Sequence, residues 1–95
     1  MGMCVRWPLT VDGMPTVLII FGLRVVIYPN DHRPAHVHVI GNGCEAVFKL
    51  WCPAGIPELR ENYEFARKDL VKIANELDSN LELLCKRWRE IHEDH

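Results

Sequence analysis

Asn42-Gly43 is the feature that most restricts what this chain can fold into. Asn-Gly accepts the left-handed backbone that a two-residue hairpin turn needs at both central positions, and alternating stretches at 35–41 and 44–52 flank it. Closing the turn there sets Ile40 opposite Glu45, His38 opposite Val47 and His36 opposite Lys49. Val37, Val39, Cys44, Ala46, Phe48 and Leu50 then share an apolar face, and His36, His38, Ile40, Glu45, Val47 and Lys49 share the other. Slipping the register by one residue would mix the two sets, so the pattern itself selects this pairing.

Segments 16–20 and 23–28 are rich in Val, Ile and Leu and read as an earlier hairpin across Phe21-Gly22. Phe21 suits a positive φ poorly, which leaves that turn type open. Residues 29–34 and 53–57 read as loops from their Pro, Asn, Asp and Gly content. Residues 1–13 lack any period and read as a flexible extension ahead of a single domain, 14–95, which opens at Met14-Pro15-Thr16. Beyond residue 66, Leu70, Ile73, Ala74, Leu77, Leu81, Leu84, Trp88 and Ile91 recur at helical steps of three and four. Unbroken, a helix over 66–93 would reach about 42 Å, against a radius of gyration of about 13 Å for a domain of this size. Either it bends near Asp78-Ser79-Asn80, or its far end docks on another chain, a partner protein or a second copy. The expected fold is α+β: a four-stranded antiparallel meander of two hairpins, with a long or bent C-terminal helix packed on one face. That helix would cover Val37, Val39, Ala46 and Phe48 with Leu70, Leu77, Leu81 and Trp88.

A net charge of −2 over 95 residues gives no overall basic footprint for nucleic acid and leaves only a local contact open. No apolar run reaches the roughly 18 residues needed to span a bilayer. Arg6, Pro8 and Asp12 interrupt any signal-peptide core. The expected location is therefore the cytoplasm, where the four cysteines would be thiols. Cys44 and Cys52 fall on the core face of their strand, Cys85 on the helix's apolar stripe, and Cys4 in the extension. Trp51 falls on the histidine face, as a contact residue unless a bulge turns it inward.

The chemistry gathers at the mouth of the second hairpin. His36 and His38 point to one side of their strand, and His32 precedes them in a proline-stiffened loop that can fold over them. Glu45 lies diagonally across from His38, within reach of a long side chain. His32, His36 and His38, with that carboxylate, suit Zn²⁺ or a similar cation; closely grouped histidines equally suit acid–base work near neutral pH. Lys49, opposite His36, argues instead for an anion such as phosphate, supported by Arg33 and Arg24. A third reading has the histidines covering the sheet face and bonding loop carbonyls. The candidate ligand-binding set common to these readings is His32, Arg33, His36, His38, Glu45 and Lys49.

Met14-Pro15-Thr16-Val17-Leu18, His32-Arg33-Pro34-Ala35-His36-Val37-His38-Val39 and Asn62-Tyr63-Glu64-Phe65-Ala66, with Asn80 and Trp88, carry a resemblance over about residues 14–92. Together they resemble a bacterial family known as domain of unknown function 4160, whose signature reads His-x-Pro-Pro-His-x-His-Val. The resemblance implies a protein partner, the product of a neighbouring gene in a two-gene toxin–antitoxin-like pair, and with the small size and overhanging helix it points to a binding module. The residues themselves supply the alternative, a small histidine-dependent enzyme acting on a phosphate-bearing substrate such as RNA with metal assistance. Ala35 stands for the second proline of the signature. Glu64 stands for a glycine, so a less strained bend is expected there. Ala66 stands for a serine that would cap the helix, a loss of about 1 kcal/mol.

Overall fold

Within residues 16–92, which the computed structural model describes, five strands precede two helices. The strands are β1 (Thr16–Ile20), β2 (Leu23–Val26), β3 (His36–Gly41), β4 (Cys44–Lys49) and β5 (Glu58–Tyr63); the helices are α1 (Arg67–Ser79) and α2 (Leu81–His92). All neighbours pair antiparallel in the order β1-β2-β3-β4-β5. The extension expected over 1–13, the Met14-Pro15 opening and Cys4 lie outside the described residues.

The alternation around Asn42-Gly43 produces the expected register: His36 faces Lys49, His38 faces Val47 and Ile40 faces Glu45. Both hairpin turns carry positive φ at both central residues, Phe21 and Gly22 in the first, Asn42 and Gly43 in the second. That is the mirror-image turn whose twist matches the flanking strands. Phe21 accepts it despite its bulk, with its side chain exposed.

The sheet has five strands where four were expected. Glu58–Tyr63 is exposed along its whole length and rich in Glu, Arg and Asn, so nothing in its composition announces a strand. Pairing with β4 makes it one. Beyond Tyr63 the chain bends sharply. Glu64 lies at φ 74°, so the bend expected to relax on loss of a glycine keeps its left-handed backbone. The Asn62 side chain enforces this: its Oδ1 accepts from the Phe65 N–H at 3.1 Å and its Nδ2 donates to the Phe65 carbonyl at 3.1 Å. Ala66 begins α1 without a side-chain cap, as its substitution for serine implies.

The helical region is two pieces. Asn80 leaves helical geometry, and its Nδ2 donates to the Glu76 carbonyl at 2.9 Å, tying off α1 before α2 starts at Leu81. Ile73, Leu77, Leu81, Leu84, Cys85 and Trp88 from the helices pack with Val25, Val37, Val39, Ala46 and Phe48 from the sheet, and with Leu50 just past β4, into one core. Burial at this level is the main favourable contribution to folding; cutting Phe48 back to alanine would cost about 3–5 kcal/mol. The thiol expectation fails for two cysteines, since Cys52 and Cys85 form a disulfide with Cα atoms 5.8 Å apart. Strand β4 ends at Lys49, so Cys52 lies past it, exposed in the loop rather than on the core face. Cys44 is half-buried against the core. Trp51 also lies beyond the strand and is exposed, and no bulge turns it inward. No helix among the described residues is long and apolar enough to cross a membrane.

Candidate cation site at the hairpin mouth

Strand alternation aims the imidazoles of His36 and His38 to the same side of β3, with ring centroids 5.2 Å apart. The loop between β2 and β3 folds back over them because it closes on itself. The Asp31 N–H donates to the Tyr28 carbonyl at 3.1 Å, and the Tyr28 N–H donates to Asp31 Oδ2 at 3.3 Å. This turn delivers the Asp31 carboxylate onto the histidines. Oδ2 lies 3.2 Å from His36 Nε2 and 3.3 Å from His38 Nε2. The three donor atoms lie within 4.8 Å of one another, and all three residues are partly buried.

The other nitrogen of each ring is held from behind. His36 Nδ1 lies 2.9 Å from the Pro34 carbonyl and His38 Nδ1 lies 3.1 Å from Glu45 Oε2. A carbonyl oxygen only accepts, so His36 Nδ1 carries the hydrogen and donates it. Neutral imidazole has a single N–H. A neutral ring with its hydrogen on Nδ1 would turn the Nε2 lone pair toward Asp31 Oδ2, the form in which it could bind a cation. His38 meets a carboxylate at both nitrogens, and one hydrogen serves only one of them.

Aromatic rings wall the cluster. Tyr28 meets His38 edge-on at 4.7 Å, and Trp88 of α2 lies against His36 at 5.4 Å. His92 stacks on Trp88 at 3.8 Å, its Nδ1 3.0 Å from the Trp88 carbonyl. Burial, followed by the charge of Glu45, holds the Tyr28 phenol above its ordinary pKa; Arg24 opposes this and Asp31 adds to it.

Of the six candidates read from the sequence, three meet here: His36, His38 and Glu45, the last behind His38 rather than among the converging donors. His32 and Arg33 are exposed in the loop, and His32 lies outside the converging group. Lys49 faces His36 across the strands, but its Nζ sits 3.7 Å from the centre of the Trp51 ring, whose indole N–H donates to Glu58. Asp31 was missed, since an Asn-Asp pair after proline reads as turn chemistry. The available signal was a carboxylate five residues before a His-x-His strand, in a loop short enough to fold back.

A family model described as a domain of unknown function (DUF4160) matches residues 22–89. No curated protein and no solved structure matches the chain.

Proposed function

The chain belongs to the DUF4160 family, and because that description names no activity we propose one from the geometry: a small binding module that holds a divalent cation of the Zn²⁺ class through Asp31, His36 and His38. The observation that carries this is the approach of both Nε2 atoms to Asp31 Oδ2, at 3.2 and 3.3 Å, with each Nδ1 engaged elsewhere. A tetrahedral ion with bonds of about 2.0–2.1 Å sets its ligand atoms about 3.3–3.4 Å apart. Pro34 and Glu45 occupy the outer positions that commonly fix the orientation of metal-bound histidines. With two neutral imidazoles, two carboxylates and one divalent ion, the cluster is also electrically balanced. An anion finds two carboxylates in its way, and Lys49, opposite His36, is drawn off to Trp51.

Three protein ligands leave a fourth position for water or a partner's side chain. The partner in this reading is a protein, the neighbouring-gene product of a two-gene toxin–antitoxin-like pair. Support comes from the family resemblance and from exposed apolar side chains at Ile19, Phe21 and Val71. The same open position favours a second reading, metal-assisted hydrolysis of a phosphate-bearing substrate such as RNA.

Titration of untagged, chelator-treated protein with Zn²⁺, and with Co²⁺ as a spectroscopic substitute, tests the site. One ion per chain with a tetrahedral Co²⁺ spectrum is expected, abolished in Asp31→Asn and His38→Ala and retained in His32→Ala. Absence of binding in excess Zn²⁺, or unchanged binding in Asp31→Asn, would overturn the reading.

A further inference from the structure

Cys52 and Cys85 lie 33 residues apart in sequence, and their bond fastens the loop after β4 to the buried face of α2. Cys85 and Trp88 are three residues apart on that face, one helical turn. The Trp88 ring in turn lies 5.4 Å from the ring of His36 and is stacked against His92. One helical turn and one ring contact therefore separate the disulfide from a proposed cation ligand. Four contacts hold the His36 ring: the Pro34 carbonyl at Nδ1, Asp31 Oδ2 at Nε2, and the rings of His38 and Trp88 against its plane.

We propose that the Cys52–Cys85 bond and the cation site form one mechanical unit, joined by Trp88 as the positioning residue of His36, so that a dithiol reductant acting on Cys52 weakens cation binding. This rests on the cation reading above. The two sulfurs differ in access: Cys52 is exposed, whereas Cys85 is buried in the core. A reductant thiolate attacks the Cys52 sulfur and forms a mixed disulfide, and Cys85 leaves as a thiolate that takes up a proton. The reductant's second thiol, as thiolate, then displaces Cys52, which is also protonated. Two electrons and two protons pass to the protein, and the dithiol becomes a disulfide. Afterwards Cys85 behaves as a small buried hydrophobe, and α2 is held by packing alone. The ring of Trp88 then loses the fixed placement that keeps His36 Nε2 aimed at Asp31.

Ring-proton NMR of the histidines, followed by Zn²⁺ competition against a chromophoric chelator, tests this. The proteins are oxidised wild type, Cys52→Ala/Cys85→Ala, Trp88→Phe and Trp88→Ala. The His36 resonances, which lie in the ring current of Trp88, are expected to move in the open double variant while those of His32 stay. The oxidised protein should bind Zn²⁺ on the order of 10-fold more tightly than the double variant. Trp88→Phe should keep most of the affinity, and Trp88→Ala should match the double variant. Reducing the wild type with dithiothreitol, then reoxidising it, should move the His36 resonances and return them, which guards against a double variant that folds poorly. Coincident His36 resonances in the oxidised and reduced wild type, or equal Zn²⁺ affinity in oxidised wild type and a folded double variant, would overturn the coupling. If the oxidised protein binds no Zn²⁺ while His36 still moves, the cation reading falls and the link from disulfide to His36 stands.

Discussion

Glu45 reaches across the hairpin to His38, its Oε2 3.1 Å from Nδ1 on the side of the ring away from Asp31. The contact follows from register: Ile40 pairs with Glu45, and His38 is the next residue along β3 on the same face. With a cation on the Asp31 side, Glu45 would take the single hydrogen of a neutral ring at Nδ1 and leave Nε2 as the ligating lone pair.

Glu45→Gln is therefore expected to weaken Zn²⁺ binding by about 10-fold to 100-fold without removing a ligand. The amide keeps an acceptor oxygen and loses the charge, so Glu45→Ala should lose more. Competition titration at constant ionic strength measures both. Unchanged affinity in both variants would show that Glu45 does not set the orientation of His38.

The hairpin that carries these residues was legible in the sequence because two independent signals agree on it. Asn42-Gly43 locates the turn, and the alternation of Val37, Val39, Ala46 and Phe48 fixes the register. Strand β5 was hidden because Glu58, Arg60, Glu61 and Asn62 have weak intrinsic strand preference and no buried face; only the partner strand makes them one. Asp31 was hidden for a related reason: its carboxylate matters through where the loop returns, and local residue types do not encode that. The bond between Cys52 and Cys85 depended on β4 ending at Lys49. Three residues more of strand would have put Cys52 on the core face.

Glu64 marks a position where the sequence opposes its own backbone. A residue with a Cβ at φ 74° is strained by about 1–3 kcal/mol, part of which glycine gives back through its freedom in the unfolded chain. Glu64→Gly should thus stabilise the domain by about 1 kcal/mol, raising the urea midpoint with an unchanged m-value. A lower midpoint would mean that the Glu64 side chain itself contributes stability.

Opening the disulfide should lower stability as well as cation affinity. For a separation of 33 residues, chain entropy alone predicts about 3–4 kcal/mol. Urea unfolding of Cys52→Ala/Cys85→Ala against oxidised wild type reads this difference. A loss well under 1 kcal/mol would show that core packing holds α2 without the bond.

Tyr28 meets the ring of His38 edge-on. Burial and the charges of Glu45 and Asp31 disfavour its phenolate, so its pKa in the folded protein lies above the ordinary value of about 10. A raised pKa on an acid that is neutral below it gives a definite sign. Stability from this group is fully present below the unfolded value and is lost as pH rises through the folded one. Tyr63, the only other tyrosine, is also raised, chiefly by its hydrogen bond to Glu61. Tyr63→Phe therefore isolates Tyr28. In chelator-treated Tyr63→Phe, the ultraviolet absorbance of the phenolate should appear at higher pH in the folded protein than in urea. The stability of that variant should fall more steeply above about pH 10 than that of Tyr28→Phe/Tyr63→Phe. Coincident titrations in the folded and unfolded states would mean that water reaches the Tyr28 hydroxyl, and with it the wall of the site.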